Sequence, residues 1–252
     1  AGKCKPCTSK IIDENNIPVT ETRTIATVFN KYFSEIGKSL DEQIPTSKLS
    51  FNHYMPKSLP YSMFLHRTTP QEVATVINSL NNSKACGPLS IPTNLLKLGV
   101  NYVSVPLAMI INESFAQGIF PEFLKVAKVT PIFKSGPKEH CTNYRPISLL
   151  STISKIFEKC MFNRLSQYLE KHKVLYDLQF GFRKHHSTSH ALIHTTDYIK
   201  TRLDKGELVG ALFLDFQKAF DSVNQQILLQ KLSTYGVRGN CLEWFRTYLL
   251  NR

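Results

Sequence analysis

The stretch Leu212-Phe213-Leu214-Asp215-Phe216-Gln217-Lys218-Ala219-Phe220-Asp221 sets a carboxylate directly after an apolar run. Residues 208–214 are apolar throughout, the pattern of a strand covered on both faces. A carboxylate at the end of such a strand is costly unless it meets a cation or water. Strand edges are also where scaffolds present reacting groups. Asp215 therefore suits Mg²⁺, a hard ion that takes one or two carboxylates together with substrate phosphates. Spacing alone leaves a second role open, the capping of a turn or helix. Asp221, six residues on, reads as the cap of the helix that follows.

A second feature is positive charge. The 252 residues include 31 Lys and Arg against 19 Asp and Glu, a net charge of +12. Residues 122–190 hold 12 of those cations and only five acids. Such an imbalance suits a polyanion, nucleic acid before membrane surface. The cations on the long helix of this segment, Arg164 among them, read as a solvated face. Lys134, Arg145 and Arg183 instead sit in or beside loops among Gly, Pro or aromatic residues, where cations can close over a triphosphate or a nucleic acid backbone.

Several elements must position these groups. Ile25, Val28, Phe29, Tyr32, Phe33, Ile36 and Leu40 predict an amphipathic helix from Thr22. Residues 1–20 read as an irregular tail and 45–68 as an extended connection. Thr69, Pro70 and Glu72 mark a capped helix start, with Glu72 completing a capping box. A further helix spans about 101–117, a short extended segment 125–133, and a long helix begins at Ser151. Ser187 or Thr188 can cap another helix, and Asn224 opens one that Gly236 stops. The pattern is that of an α+β or α/β core.

The composition excludes wholesale disorder, collagen-like repetition and a disulfide-rich miniprotein. No apolar run approaches the roughly 20 residues of a membrane-spanning helix, and no signal segment opens the chain. An intracellular location, cytoplasm or nucleus, with no membrane partner is therefore expected. The chain starts at Ala1 and stops at Arg252 just after an apolar helical pattern, so both ends read as cut. The six cysteines read as reduced thiols. Cys4-Lys-Pro-Cys7 has zinc-knuckle spacing but lacks a second pair. His186 and His190, four apart, invite a metal reading beside a helix start that Ser187 or Thr188 can cap.

Taken together and in order, four motifs closely resemble the reverse transcriptases of jockey-like, non-LTR retrotransposons of the long interspersed element type. They are Thr130-Pro131-Ile132-Phe133-Lys134, Asn143-Tyr144-Arg145-Pro146-Ile147-Ser148-Leu149-Leu150, Gln179-Phe180-Gly181-Phe182-Arg183 and Leu214 through Asp221. The resemblance implies a right-hand polymerase that copies an RNA template from a DNA primer with deoxynucleoside triphosphates and two Mg²⁺ ions. It implies Asp215 as the catalytic carboxylate on both ions, with the Phe216 carbonyl as a further ligand. The N–H groups of Lys218 and Ala219 resemble those that receive the triphosphate, and Phe220 the aromatic beneath the sugar. Lys134 and Arg145 resemble the fingers cations on the nucleotide, and Arg183 a template- or nucleotide-side arginine. In the family Pro and Gly often stand where this chain has Lys184 and His185.

The resemblance also implies a division of the chain. Residues 1–68 are an N-terminal tail and helical linker, and 69–120 an N-terminal extension of the polymerase domain. Residues 121–205 are the fingers, and 206–252 the first palm strand and following helices, within an incomplete palm. The family's second palm carboxylates come from a Tyr/Phe-x-Asp-Asp hairpin, yet this chain has no Asp-Asp pair. The rest of the palm, the thumb and an upstream endonuclease are thus expected outside it, and this polypeptide alone is expected to be inactive. Two alternatives remain: a catalytically dead nucleic-acid-binding remnant, and an unrelated phosphotransfer enzyme using Asp215 as nucleophile.

Overall fold

Extended backbone persists where its peptide groups find partners, and among the described residues two places meet that condition with short strand pairs. A computed structural model describes residues 8–45, 48–82, 87–88 and 91–251. Cys4, Cys7 and Cys86 lie outside the described residues. The described chain is mixed helix and small sheets, an α+β arrangement. It divides into two compact units, Ala1–Arg164 with Ala219–Arg252, and Leu165–Lys218.

The first unit opens with a hairpin, β1 (Ile11–Ile12) and β2 (Pro18–Val19). Residues 11–19 are therefore not the irregular tail that their polarity suggested. Asp13 Oδ1 accepts from the N–H groups of Asn15 and Ile17 at 2.9 and 2.8 Å. Asn16 takes a left-handed conformation, φ 61°, as Asn tolerates in a tight turn. Helix α1 (Thr22–Gln43) follows and buries Ile25 and Phe29. A second hairpin pairs β3 (Lys128–Phe133) with β4 (Tyr144–Leu149), antiparallel, with Ile132 opposite Arg145 and Phe133 opposite Tyr144.

The helical core of this unit is built by α2 (Pro70–Ser79), α4 (Val100–Gln117), the first part of α5 (Thr152–Lys171), α7 (Gln225–Thr234) and α8 (Asn240–Leu249), with the short α3 (Thr93–Leu98) beside them. Thr69 caps α2, its Oγ1 accepting from the Glu72 N–H at 3.1 Å. Ser151 caps α5 in the same way, and Asn224 caps α7. Gly118 (φ 69°) turns the chain out of α4, and the Ile119 N–H returns to the Ser114 carbonyl at 3.0 Å, a helix stop that glycine makes at least cost. Trp244, 1% exposed, stacks on Tyr248 and meets Phe115 and Phe120 edge-on. Its Nε1 donates to Ser114 Oγ at 3.0 Å, which fastens α8 to the end of α4.

The described part of the connection, 48–68, is extended as expected, apart from one 3₁₀ turn at Phe51–Tyr54, and its second half is tied down. Leu59 N–H donates to Thr234 O and Met63 N–H to Gly236 O. Arg238 reaches back to Ser58 Oγ at 2.8 Å and Leu59 O at 2.6 Å. Thr68 and the Asn112 amide exchange two bonds of 2.7 and 2.9 Å.

One charge assignment changes. Arg164 does not face solvent: its side chain is 1% exposed and pairs bidentately with Glu72, NH1–Oε1 2.7 Å and NH2–Oε2 2.9 Å. It also donates to His66 O and Cys160 O and lies over the Phe115 ring. The Glu72 carboxylate accordingly serves α5 and not a reciprocal capping box. Periodicity missed this because Arg164 lies on the same face as Phe157, Cys160 and Met161, where only a partner three helices away makes a cation tolerable. Lys125 is also buried, between Glu122 and the Leu250 carbonyl. Cys141, Cys160 and Cys241 are buried free thiols, and burial pushes Cys160 up to about 12.

In the second unit, α5 ends at Lys171, an irregular loop runs to Ser187, and α6 (Thr188–Leu203) follows. Ser187 Oγ accepts from the His190 N–H, capping α6. Residues 207–216 have no regular structure, and Leu212, Phe213 and Leu214 are 85, 88 and 79% exposed. The strand expected at 208–214 is therefore absent. Its apolar side chains fit a central strand, but a central strand needs a neighbour on each edge, and the described strands pair only within the two hairpins.

The buried Arg164–Glu72 pair carries a measurable load. Arg164→Ala is expected to destabilise the first unit by about 3 kcal/mol, because Glu72, His66 O and Cys160 O lose their donor. Urea denaturation followed by the emission of Trp244, the sole tryptophan, checks it. A loss under about 0.5 kcal/mol would mark the pair as an ordinary surface bridge.

Candidate functional site

The β3–β4 hairpin presents two of the expected cations. Side chains alternate across a strand, so Tyr144, 4% exposed, points inward and Arg145 points outward into solvent. Lys134 extends the ladder one residue past β3, its N–H donating to Asn143 O at 2.8 Å. The same alternation puts it on the outer face, diagonal to Arg145. The loop between them is pinned. Asn143 Nδ2 donates to Pro137 O at 2.7 Å, and the Tyr144 hydroxyl to Lys138 O at 2.7 Å. Gly136 (φ 88°) lies so close over Asn143 that an added Cβ would stand 2.8 Å from Nδ2. Sequence reasoning found Lys134 and Arg145 but not Asn143 or Gly136, whose signal was the Ser135-Gly136-Pro137 turn closed by an Asn.

Arg183 lies in the second unit. Its Nε and NH2 grip the Glu170 carboxylate at 3.0 and 2.9 Å, and NH1 donates to Tyr176 O at 3.0 Å. Three of the guanidinium's five donors are thus spent on its own loop. These bonds hold the Glu170 carboxyl below its ordinary range and the Arg183 pKa above its own. Glu170 escaped sequence reasoning because its partner lies 13 positions on, across an irregular loop. Phe182 and His185 both take left-handed backbone, φ 59° and 62°. At His185 this conformation carries a steric penalty that Gly would avoid. His186 is engaged through Nδ1 with Lys184 O at 2.9 Å.

Asp215 is solvent-exposed at the end of the irregular 207–216 segment. Phe216 is 78% exposed, and residues 217–222 form successive turns in which Lys218 has φ 49°. Asp221 does not cap α7; Asn224 does. Lys134, Arg145, Ala219 and Phe220 belong to the first unit, and Arg183, Asp215, Phe216 and Lys218 to the second. Among the described residues no three His, Cys, Asp or Glu side chains converge as a metal centre requires. Asp215 and the Phe216 carbonyl offer two oxygen ligands of the six that Mg²⁺ takes. They fit part of one ion's shell and do not by themselves fit two.

Residues 134–252 match the reverse transcriptase (RNA-dependent DNA polymerase) family, and that span includes every candidate residue above. The chain is 36% identical over 180 residues to the probable RNA-directed DNA polymerase from transposon BS of Drosophila melanogaster, covering 69% of the chain and 20% of that protein. It is 30% identical to the corresponding probable polymerase from transposon X-element of the same fly, over 86% of the chain and 24% of that protein. It is 31% identical to the RNA-directed DNA polymerase from mobile element jockey of Drosophila funebris, over 68% of the chain and 19% of that protein. The chain belongs to the jockey-like non-LTR retrotransposon reverse transcriptases. It spans about a fifth to a quarter of the length of these relatives. No helix of this reverse transcriptase segment, among its described residues, is long and apolar enough to cross a membrane.

Two outcomes are expected of the Arg183 loop. Because the folded pKa of Glu170 is lowered, the ion pair's contribution is complete above the ordinary carboxyl range and fades as pH falls through the folded value. Protection factors of the amides in 172–187, corrected for the intrinsic pH dependence of exchange, should therefore fall on acidification below the ordinary value and stay level above it, and Glu170→Gln should remove that dependence. His185→Gly should stabilise the loop by up to about 1 kcal/mol by relieving left-handed strain, read as slower exchange of the same amides.

Proposed function

We propose that this chain supplies the fingers and the opening of the palm of an RNA-directed DNA polymerase that copies retrotransposon RNA from a DNA primer. What carries the reading is a carboxylate, Asp215, standing exposed after an apolar segment inside the matched family region, with Lys134 and Arg145 set on the outer face of a pinned hairpin. Positioning and electrostatics supply most phosphoryl-transfer catalysis. In the complete right-hand enzyme Lys134 and Arg145 neutralise the triphosphate of the incoming deoxynucleotide. Arg183 lends its remaining donors to template or nucleotide. The N–H groups of Lys218 and Ala219 receive phosphate oxygens, and Phe220 lies beneath the sugar.

Asp215 and the Phe216 carbonyl would hold part of a two-Mg²⁺ site, whose ions activate the primer 3′-oxygen and stabilise the leaving pyrophosphate. The remaining carboxylates come from further palm strands, which also give 208–214 the neighbours it needs. On this reading residues 69–120 are the N-terminal extension, 121–205 the fingers and 206–252 the start of the palm. The relatives' greater length accommodates the rest of the palm, a thumb and an upstream endonuclease. A second reading, a nucleic-acid-binding remnant without chemistry, draws support from the excess of positive charge, +12, alone.

The 252-residue chain with Mg²⁺ is expected to leave a DNA primer on an RNA template unextended, and a ladder of longer products on a sequencing gel would contradict this. It should bind the RNA–DNA hybrid with an affinity that falls steeply with salt. Lys134→Ala or Arg145→Ala should each reduce the salt slope by about 1. Fluorescence anisotropy checks both. Tightening of the complex by Mg²⁺ and the complementary deoxynucleotide, lost in Asp215→Asn, favours the polymerase reading. Binding indifferent to nucleotide favours the remnant.

A further inference from the structure

A two-stranded hairpin has too little apolar surface to hold itself rigid in water, yet the β3–β4 hairpin must aim two cations. Its inner face is covered by α1. Phe29, 5% exposed, meets the Tyr144 ring edge-on at 4.9 Å and stacks on Phe33 at 5.7 Å. Tyr144 in turn meets Phe133 at 5.5 Å. Ile11, Ile25 and Cys141 complete the cluster. The Ile12 N–H donates to Glu139 O at 2.8 Å, so β1 also grips the loop itself. Two turns further along α1, Gly37 approaches the other half of the candidate site. A Cβ there would stand 2.7 Å from the Asp221 carbonyl oxygen. That oxygen belongs to the turn that carries Ala219 and Phe220, so glycine is the residue that permits this backbone approach.

We propose that α1 is a positioning element of the nucleotide site, holding the Lys134–Arg145 hairpin through Phe29 and the turn after Asp215 through Gly37. Phe29 and Gly37 touch no substrate; they set the spacing between the cations and the Ala219–Phe220 turn along one rigid helix. The proposal rests on the nucleotide reading of Lys134 and Arg145, and the experiment separates the two.

The full 252-residue chain is studied by amide exchange and by binding of inorganic tripolyphosphate. Phe29→Ala should speed exchange across 134–143 at least tenfold and weaken tripolyphosphate at least threefold, while Trp244 emission and exchange in α4 and α8 stay unchanged. Phe29→Leu, which keeps most of the buried volume, should restore both. Gly37→Ala should speed exchange in 217–222. Unchanged hairpin exchange in Phe29→Ala overturns the proposal, and so does a loosened hairpin with unchanged tripolyphosphate affinity, which would make α1 a purely structural support. If Lys134→Ala and Arg145→Ala in the otherwise unaltered chain leave tripolyphosphate binding as it was, the nucleotide reading fails. The exchange arms then still decide whether α1 orders the hairpin.

Discussion

A peptide group taken out of water must find a hydrogen-bond partner, and this requirement sorts the extended segments of the chain into two kinds. Residues 128–133 and 144–149 satisfy each other across a hairpin. Residues 59–63 satisfy theirs partly against 234–236. Both become fixed features on which side chains can be aimed. Residues 207–216 are equally apolar, or more so, yet they have no strand alongside and lie open to solvent. Asp215 is carried on this unpaired segment, whereas Lys134 and Arg145 are carried on the paired one.

Charge is divided along the same lines. Arg164 and Lys125 are buried, and each is closed off by a carboxylate and by carbonyls, so they serve packing. Lys134 and Arg145 are solvent-exposed on the hairpin's outer face. Arg183 stands between these cases, with Glu170 and Tyr176 O holding it to its own loop and part of its donor set left over. A cation buried against a carboxylate contributes fold, and one left in water contributes long-range attraction for a polyanion. The sum of +12 describes only the second kind well.

Where local chemistry dominates, the structure was legible in advance. Thr69, Ser151, Ser187 and Asn224 cap the helices they announce, and Gly118 and Gly236 stop theirs. The buried stripes of α1, α2 and α5 follow the 3.6-residue period. The motifs that identify the family were legible for a different reason: they are contiguous runs that can be read in one dimension without a partner from elsewhere in the chain. Less visible were interactions spanning the chain. Arg164 finds Glu72 across 92 residues, and Arg238 finds Ser58 across 180. Phe29 meets Tyr144 although nothing in either stretch announces the other.

By itself the amino-acid order determined the capped starts of α2, α6 and α7, the excess of positive charge and the family. Each of these depends on neighbours within a few positions, or on a pattern that needs no folding to be read. Tertiary structure decided which of two similar cations is buried, that α1 covers the cation-bearing hairpin, and that residues 208–214 stay unpaired. Burial, pairing and close approach are properties of whatever lies alongside in space, and a strand-forming sequence becomes a strand only when another backbone is there to receive its hydrogen bonds.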